Sequence, residues 1–336
     1  MNSSQTILHS DDAEKSTKKQ TAVTGHTIHV VIIDGTMSTL SPGLESNAGL
    51  AAKLLYEMGN TVSVHYEPGL QWTKPLKAFG VLAGRGINQQ IRDAYGYLAS
   101  RYRPGDKIFL LGFSRGAYAV RSLAGIIDMI GLLRSEEATT RNIRTAYRHY
   151  ECTPSSDGAQ TFARKYCHEK IAIEMIGVWD TVKSLGLNAP VLWRLSVARN
   201  AFHNHELGKS VKQGFQALAH DENRVAYSPV MWDTNADWPG HVEQMWFRGA
   251  HGDIGGHLGR YTQARPLANI SLVWILEKAE SCGLPLPPAW QTRFPQDANA
   301  PSIGTWRGLA GLLIMRKKRI IGMGASENMH SSVANR

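Results

Sequence analysis

Gly112-Phe113-Ser114-Arg115-Gly116 is the segment whose residue types and spacing point most directly to chemistry. It matches G-x-S-x-G, the turn that presents a nucleophilic serine between a strand and a helix. A serine hydroxyl is a weak nucleophile at neutral pH and must be offered to a base, clear of the backbone around it. A sharp turn does this, and a side chain at Gly112 or Gly116 would crowd the turn against its neighbours. The backbone N–H of Arg115, at the start of the following helix, can then help to hold an oxyanion.

The serine needs a base, and the base needs a group to orient it. Asp180 and His251 follow Ser114 in the order serine, acid, histidine that α/β-hydrolases use. Asp180 ends a strongly apolar run, where a carboxylate is costly without a partner. Its alternative role is a cap or structural hydrogen bond at the turn to Thr181. His251 lies in Gly249-Ala250-His251-Gly252-Asp253-Ile254-Gly255-Gly256-His257, where glycines permit a tight turn and keep bulk away from the ring. Asp253, His257 and His330 are rivals for the base or the orienting role. An oxyanion hole takes two N–H donors. The Asp34-Gly35-Thr36 loop supplies the second candidate, through the amide of Gly35 or Thr36, with Asp34 bracing the loop.

These residues must be carried by regular elements, and the hydropathy pattern supplies them. Strands are predicted at 26–33, 61–67, 107–112, 171–179 and 242–249, with helices at 47–58, 87–101, 117–133 and 267–282. Residues 68–87 read as a loop. Asp34, Ser114, Asp180 and His251 all fall just beyond a predicted strand end. Strands alternating with helices imply a mostly parallel sheet covered on both faces, the α/β class of the α/β-hydrolase fold. Sites in such sheets form beyond the carboxyl ends of the strands. Residues 1–25 are polar and lack an apolar period, which predicts a disordered tail. Residues 26–336 are then a single catalytic domain. Within it, Leu185 to Leu207 mixes apolar and basic residues, as an amphipathic cap over the site or an ordinary packed insertion would.

Composition sets the outer limits. The chain has 336 residues, 43% of them hydrophobic, with 9 Trp, 11 Tyr and 8 Phe, enough for a large core. A net charge of +9 favours acidic partners. No nucleic-acid module is present in the sequence, and nucleic acid is not an expected partner. The basic residues are dispersed apart from Arg316-Lys317-Lys318-Arg319, which reads as a solvated basic face or as attraction to an anionic membrane surface. Three cysteines outside any C-x-x-C pair argue against a disulfide framework and fit a reducing compartment. The N-terminus lacks the apolar core of a signal peptide, and no apolar run approaches the ~18 residues of a membrane span. A cytoplasmic location is expected, or export by a route that reads no N-terminal signal. No cofactor is expected, since the first strand runs into Asp-Gly-Thr-Met and not G-x-G-x-x-G.

Several segments together resemble one family, the α/β-hydrolases typified by the catalytic domain of type VI secretion phospholipase effectors. They are Ile33-Asp34-Gly35-Thr36, Gly112 to Tyr118, Gly177-Val178-Trp179-Asp180-Thr181-Val182, Gln216 to Arg224, Trp246 to Gly256 and His330 to Arg336. Met37 stands where the family usually has an aromatic residue. The resemblance implies a triad of Ser114, Asp180 and His251, and hydrolysis of lipid esters with phospholipids as the leading substrate class. Two other readings stay open on the residues alone. His251-x-Asp253 and His257, with Asp34 or Asp180, offer ligands for a metal-dependent hydrolase, although no metal is expected because nothing has helical H-E-x-x-H spacing. A degenerate hydrolase fold acting as a binding or immunity partner is the other.

Overall fold

The strands that lead to Asp34 and Ser114 are apolar on both sides, and that decides the layering. The computed structural model describes residues 26–71, 85–182, 207–233, 238–307 and 315–334. Strand β1 (Ile28–Ile33) sends Val31 and Ile33 to one face and Val30 and Ile32 to the other, all fully buried. Strand β3 (Lys107–Phe113) does the same, with Ile108 and Leu110 opposed to Phe109, Leu111 and Phe113. Side chains alternate across a strand, so a continuous apolar run demands cover on both faces.

Helices provide it. Helix α1 (Asn47–Tyr56) begins at Ser46, whose hydroxyl accepts the N–H of Gly49, and it packs on the face of Val30, Ile32 and Phe109 with the later helix α7 (Arg265–Ser281). Strand β2 (Val62–Glu67) follows α1. Helices α2 (Arg85–Arg101), α3 (Arg115–Met129), α4 (Thr140–Cys152) and α5 (Asp157–Tyr166) cover the opposite face. Strands β4 (Ile173–Trp179), β5 (Gln213–Ala219), β6 (His241–Phe247) and β7 (Glu327–Met329) complete the sheet, with one-turn helices α6 (His251–Ile254) and α8 (Ser331–Ala334) after β6 and β7. The order is β2-β1-β3-β4-β5-β6-β7 and every pairing is parallel. The strand that leads into Ser114 is therefore interior, flanked by β1 and β4. This is the α/β-hydrolase arrangement.

The sheet has seven strands among the described residues, where the hydropathy pattern predicts five. Strand β5 escapes the pattern because Gln216 sits in its middle, buried by bonds to Thr181, Gln244 and the Val230 carbonyl. Strand β7 is a three-residue polar edge held by the backbone of β6 and carries no apolar signal. Helix α3 begins at Arg115, directly after the serine, and ends at Met129, not Leu133, because Gly131 turns away with φ 96°. Helix α2 takes in Arg85 and Gly86, which the sequence assigns to a loop. The tail 1–25, and the cap segment 185–207 except for Leu207, lie outside the described residues. No helix among the described residues is long and apolar enough to cross a membrane. The three cysteines are free.

Candidate active site

Ser114 occupies the strained turn that its flanking glycines allow. Its backbone has φ 58° and ψ −118°, a region that non-glycine residues rarely visit, so the residue is held there by its surroundings. A Cβ on Gly116 would lie 2.1 Å from the Ile33 carbonyl oxygen, and one on Gly112 would lie 2.8 Å from the backbone of Ala117. Both contacts are with backbone, which cannot swing aside. The glycines thus let α3 start against the end of β1. The Ser114 N–H donates to the Trp179 carbonyl at 2.9 Å, which ties the turn to β4.

Asp180 follows on β4, its N–H held by the Ala217 carbonyl and its φ at 43°. Its carboxylate is completely buried. Oδ1 accepts the Ala219 N–H at 3.0 Å and Arg319 Nη1 at 2.6 Å. Oδ2 accepts His251 Nδ1 at 2.6 Å and Arg319 Nη2 at 2.9 Å. A carboxylate offers about four lone-pair directions, so this one is saturated. Burial alone would raise its pKa. The Arg319 charge, with hydrogen bonds from His251 and Arg319, outweighs burial and holds the carboxyl well below the usual carboxylate range.

His251 meets Ser114 from the far side of the site. Its Nε2 lies 2.9 Å from Ser114 Oγ. A carboxylate can only accept, so Nδ1 carries the hydrogen donated to Asp180, and Nε2 of the neutral ring accepts the serine hydroxyl. Phe113 and Tyr227 pack against the imidazole, with centroids 4.9 Å and 4.5 Å away. The His251 N–H donates to Glu222 Oε2 at 3.1 Å. Glu222 is itself clamped by Arg224 through Nε and Nη2, and Arg224 also lies over the Tyr227 ring. Burial raises the Glu222 carboxyl, but Arg224 brings it below its ordinary value.

The other sequence candidates fall at different places. Asp34 is buried and accepts hydrogen bonds from Ser46, Tyr66 and the Gly35 N–H, with its pKa pushed up by burial. The Gly35 amide is thereby engaged. The amides of Thr36 and Arg115 have no acceptor among the described residues. Asp253 accepts the Ala250 N–H, the Ser302 hydroxyl and the Ile303 N–H, so it binds together the loop that carries His251 and does not touch the ring. Burial lowers the pKa of His257, with a smaller contribution from nearby His251, and it bonds to none of the three. His330 stacks on Phe247 and accepts the Ser332 N–H, away from the serine. Among the described residues no three His, Cys, Asp or Glu side chains gather as a metal site requires.

Sequence reasoning missed Arg319. The Arg316–Arg319 run reads as a solvated basic face, and Lys317 and Lys318 are exposed. The Arg319 side chain, however, is 4% exposed and paired with Asp180. The apolar strand before Asp180 signals that this carboxylate needs a cation, but nothing in the chain says which of 37 Lys and Arg supplies it. Glu222, Arg224 and Tyr227 were missed in the same way, since their roles exist only once the loop after β5 is folded beside His251.

Comparison with known proteins gives three kinds of likeness. An uncharacterized protein of Saccharomyces cerevisiae is 31% identical over 115 residues, which cover 30% of this chain and 16% of that protein. Among solved structures, an uncharacterized protein from Pseudomonas aeruginosa aligns with TM-score 0.46 at 14% identity, covering 81% of this chain and 49% of that one. The Tle1 effector bound to the VgrG spike of the type 6 secretion system aligns with TM-score 0.34 at 21% identity, covering 69% and 51%. An esterase of Thermogutta terrifontis in a propionate-bound form gives 0.37 at 14% identity, covering 78% and 86%. With TM-scores below 0.5 these likenesses bear no functional weight, and the chain spans about half the length of the first two structures. The family comparison is of another order: residues 28–278 match the model for the catalytic domain of Tle1-like type VI secretion (T6SS) phospholipase effectors. That match takes in the serine turn, Asp180 and His251, and by it the chain belongs to the Tle1-like T6SS phospholipase effector catalytic domain family.

Proposed function

We propose that this protein is a serine hydrolase that cleaves carboxylic esters of phospholipids, with Ser114 as nucleophile, His251 as general base and acid, and Asp180 as the orienting acid. The observation that carries this reading is the unbroken hydrogen-bonded chain from Ser114 Oγ to His251 Nε2 at 2.9 Å and from His251 Nδ1 to Asp180 at 2.6 Å, on a serine with positive φ. His251 takes the serine proton as Oγ attacks the acyl carbonyl. The amides of Arg115 and Thr36 receive the oxyanion. His251 returns the proton to the leaving alcohol, and water then attacks the acyl-enzyme by the same route.

Arg115 favours a substrate with an anionic group beside the ester. Its side chain follows the nucleophile, is 5% exposed, and leaves Nη1 without a hydrogen-bond partner. Burial lowers its pKa, partly offset by Tyr227. A buried guanidinium in this state is suited to a phosphate. The net charge of +9 favours anionic bilayers in the same sense. Export by a secretion system that reads no N-terminal signal is the delivery route the family suggests.

The test is labelling by an active-site fluorophosphonate, followed by a panel of phospholipids and neutral acylglycerols. Labelling is expected in the wild type and absent in S114A, whose kcat/KM should fall by about 10⁴-fold or more. R115Q should lose more kcat/KM on phospholipids than on neutral esters. A well-folded wild type that neither labels nor hydrolyses any ester would sink the reading and favour a binding role.

A further inference from the structure

Arg319 makes four hydrogen bonds, and each lands on the machinery around the base. Nη1 reaches Asp180 Oδ1 at 2.6 Å and the Ala219 carbonyl at 2.9 Å. Nη2 reaches Asp180 Oδ2 at 2.9 Å and the Tyr227 carbonyl at 2.6 Å. Arg319 lies 139 residues from Asp180 in sequence and beyond the stretch 28–278 that matches the family. Its segment is seated by backbone pairing with the loop after β5. Lys317 N–H donates to the Asn223 carbonyl at 2.7 Å, Val225 N–H to the Met315 carbonyl at 3.0 Å, and Arg316 bridges Arg224. The end of β5 supplies Ala219 N–H to Asp180, and the loop after it supplies Glu222 to the His251 backbone.

We propose that Arg319 is a positioning residue of the active site, fixing the Asp180 carboxylate, as an anion and in one orientation, to receive the His251 Nδ1–H. This rests on the assignment of Ser114, His251 and Asp180 as the triad. The planar guanidinium fork matches both carboxylate oxygens at once, so Asp180 can neither rotate nor exchange the His251 N–H for another donor. Without the fork, two of its four hydrogen bonds are lost. Burial, the largest influence on this carboxyl, then stands opposed only by His251, the Ala219 N–H and the more distant Arg224. Its pKa rises, and the anion that steadies the imidazolium is lost at a higher pH. Losing the buried cation beside Asp180 favours proton uptake at the site, so the low-pH limb of activity moves upward.

The experiment is the pH profile of kcat/KM for a soluble p-nitrophenyl ester, for wild type and R319A, with folding checked by circular dichroism and thermal melting. R319A should lose at least tenfold at the plateau, and its low-pH limb should move up by about one unit or more. Added ethylguanidinium at non-denaturing concentration should restore part of the rate and return the limb, while urea at the same concentration should not. If R319A does not fold, R319K keeps the charge without the fork: its kcat should fall at least fivefold with the limb unmoved, and wild-type kcat there overturns the proposal. A folded R319A whose limb superimposes on that of wild type, with a loss uniform in pH and no rescue, also overturns it. Failure of the wild type to label or hydrolyse would instead defeat the triad assignment, before Arg319 is reached.

Discussion

Replacing Asp180 by asparagine separates the electrostatic role of this residue from its shape. The amide keeps the volume and can still accept one hydrogen bond through its oxygen. It presents an NH2 where Arg319 now finds a carboxylate oxygen, and it leaves the guanidinium buried, at 4% side-chain exposure, with no counter-charge. Removing one partner from a buried ion pair costs about 3–5 kcal/mol, because the remaining charge keeps its desolvation penalty. At about 2.1 cal/mol/K per residue, the 336 residues give an unfolding entropy of about 0.7 kcal/mol/K. D180N should then lower Tm by about 4–7 °C, with kcat down about 10⁴-fold as the wrong tautomer of His251 is favoured. Thermal melting by circular dichroism reads the first and ester hydrolysis the second. S114A is the control, since it leaves the ion pair intact. D180N/R319M should recover most of the lost Tm and none of the activity. A D180N protein that melts within a degree of S114A would refute the account of Arg319 and Asp180 as a desolvated pair.

Other outcomes follow from the same structure. G116A should fail to fold or lose about 3 kcal/mol, judged by denaturant titration, because the new methyl meets the backbone of Ile33. E222Q leaves Arg224 without its counter-ion and loosens the His251 backbone, so Tm should fall, with kcat/KM down about 10- to 100-fold and no change in fluorophosphonate stoichiometry. Asp180 and Glu222 both have depressed pKa values. Their stabilisation is complete above the unfolded carboxylate value of about 4 and is lost as pH falls toward the folded values. Acid should therefore lower Tm in the wild type, and less so in D180N/R319M, whereas equal slopes would show that this pair does not contribute.

Much of this protein can be read from its residues in order. The β-branched and apolar runs before Asp34, Ser114 and Asp180 specify strands, because only a doubly covered sheet can bury both faces of such a run. G-x-S-x-G names its own turn, because the strained backbone at Ser114 and the approach of α3 to β1 are local demands that only glycine meets. The order Ser114, Asp180, His251 was legible because each residue follows the end of a predicted strand. Strand β5 was not, since Gln216 interrupts its apolar pattern and finds its hydrogen-bond partners on other elements, among them Thr181, Val230 and Gln244. The residues favoured His251 and Asp180, with His257, His330 and Asp253 as rivals. Which of them lie within hydrogen-bond distance of one another depends on register, and Ser114, His251 and Asp180 do. Arg319 is the clearest case. A buried carboxylate at the end of an apolar strand states locally that a cation must come, because desolvation is a property of the site itself. Which cation comes depends on how a segment 139 residues away pairs with the loop after β5, and that is a matter of tertiary packing alone.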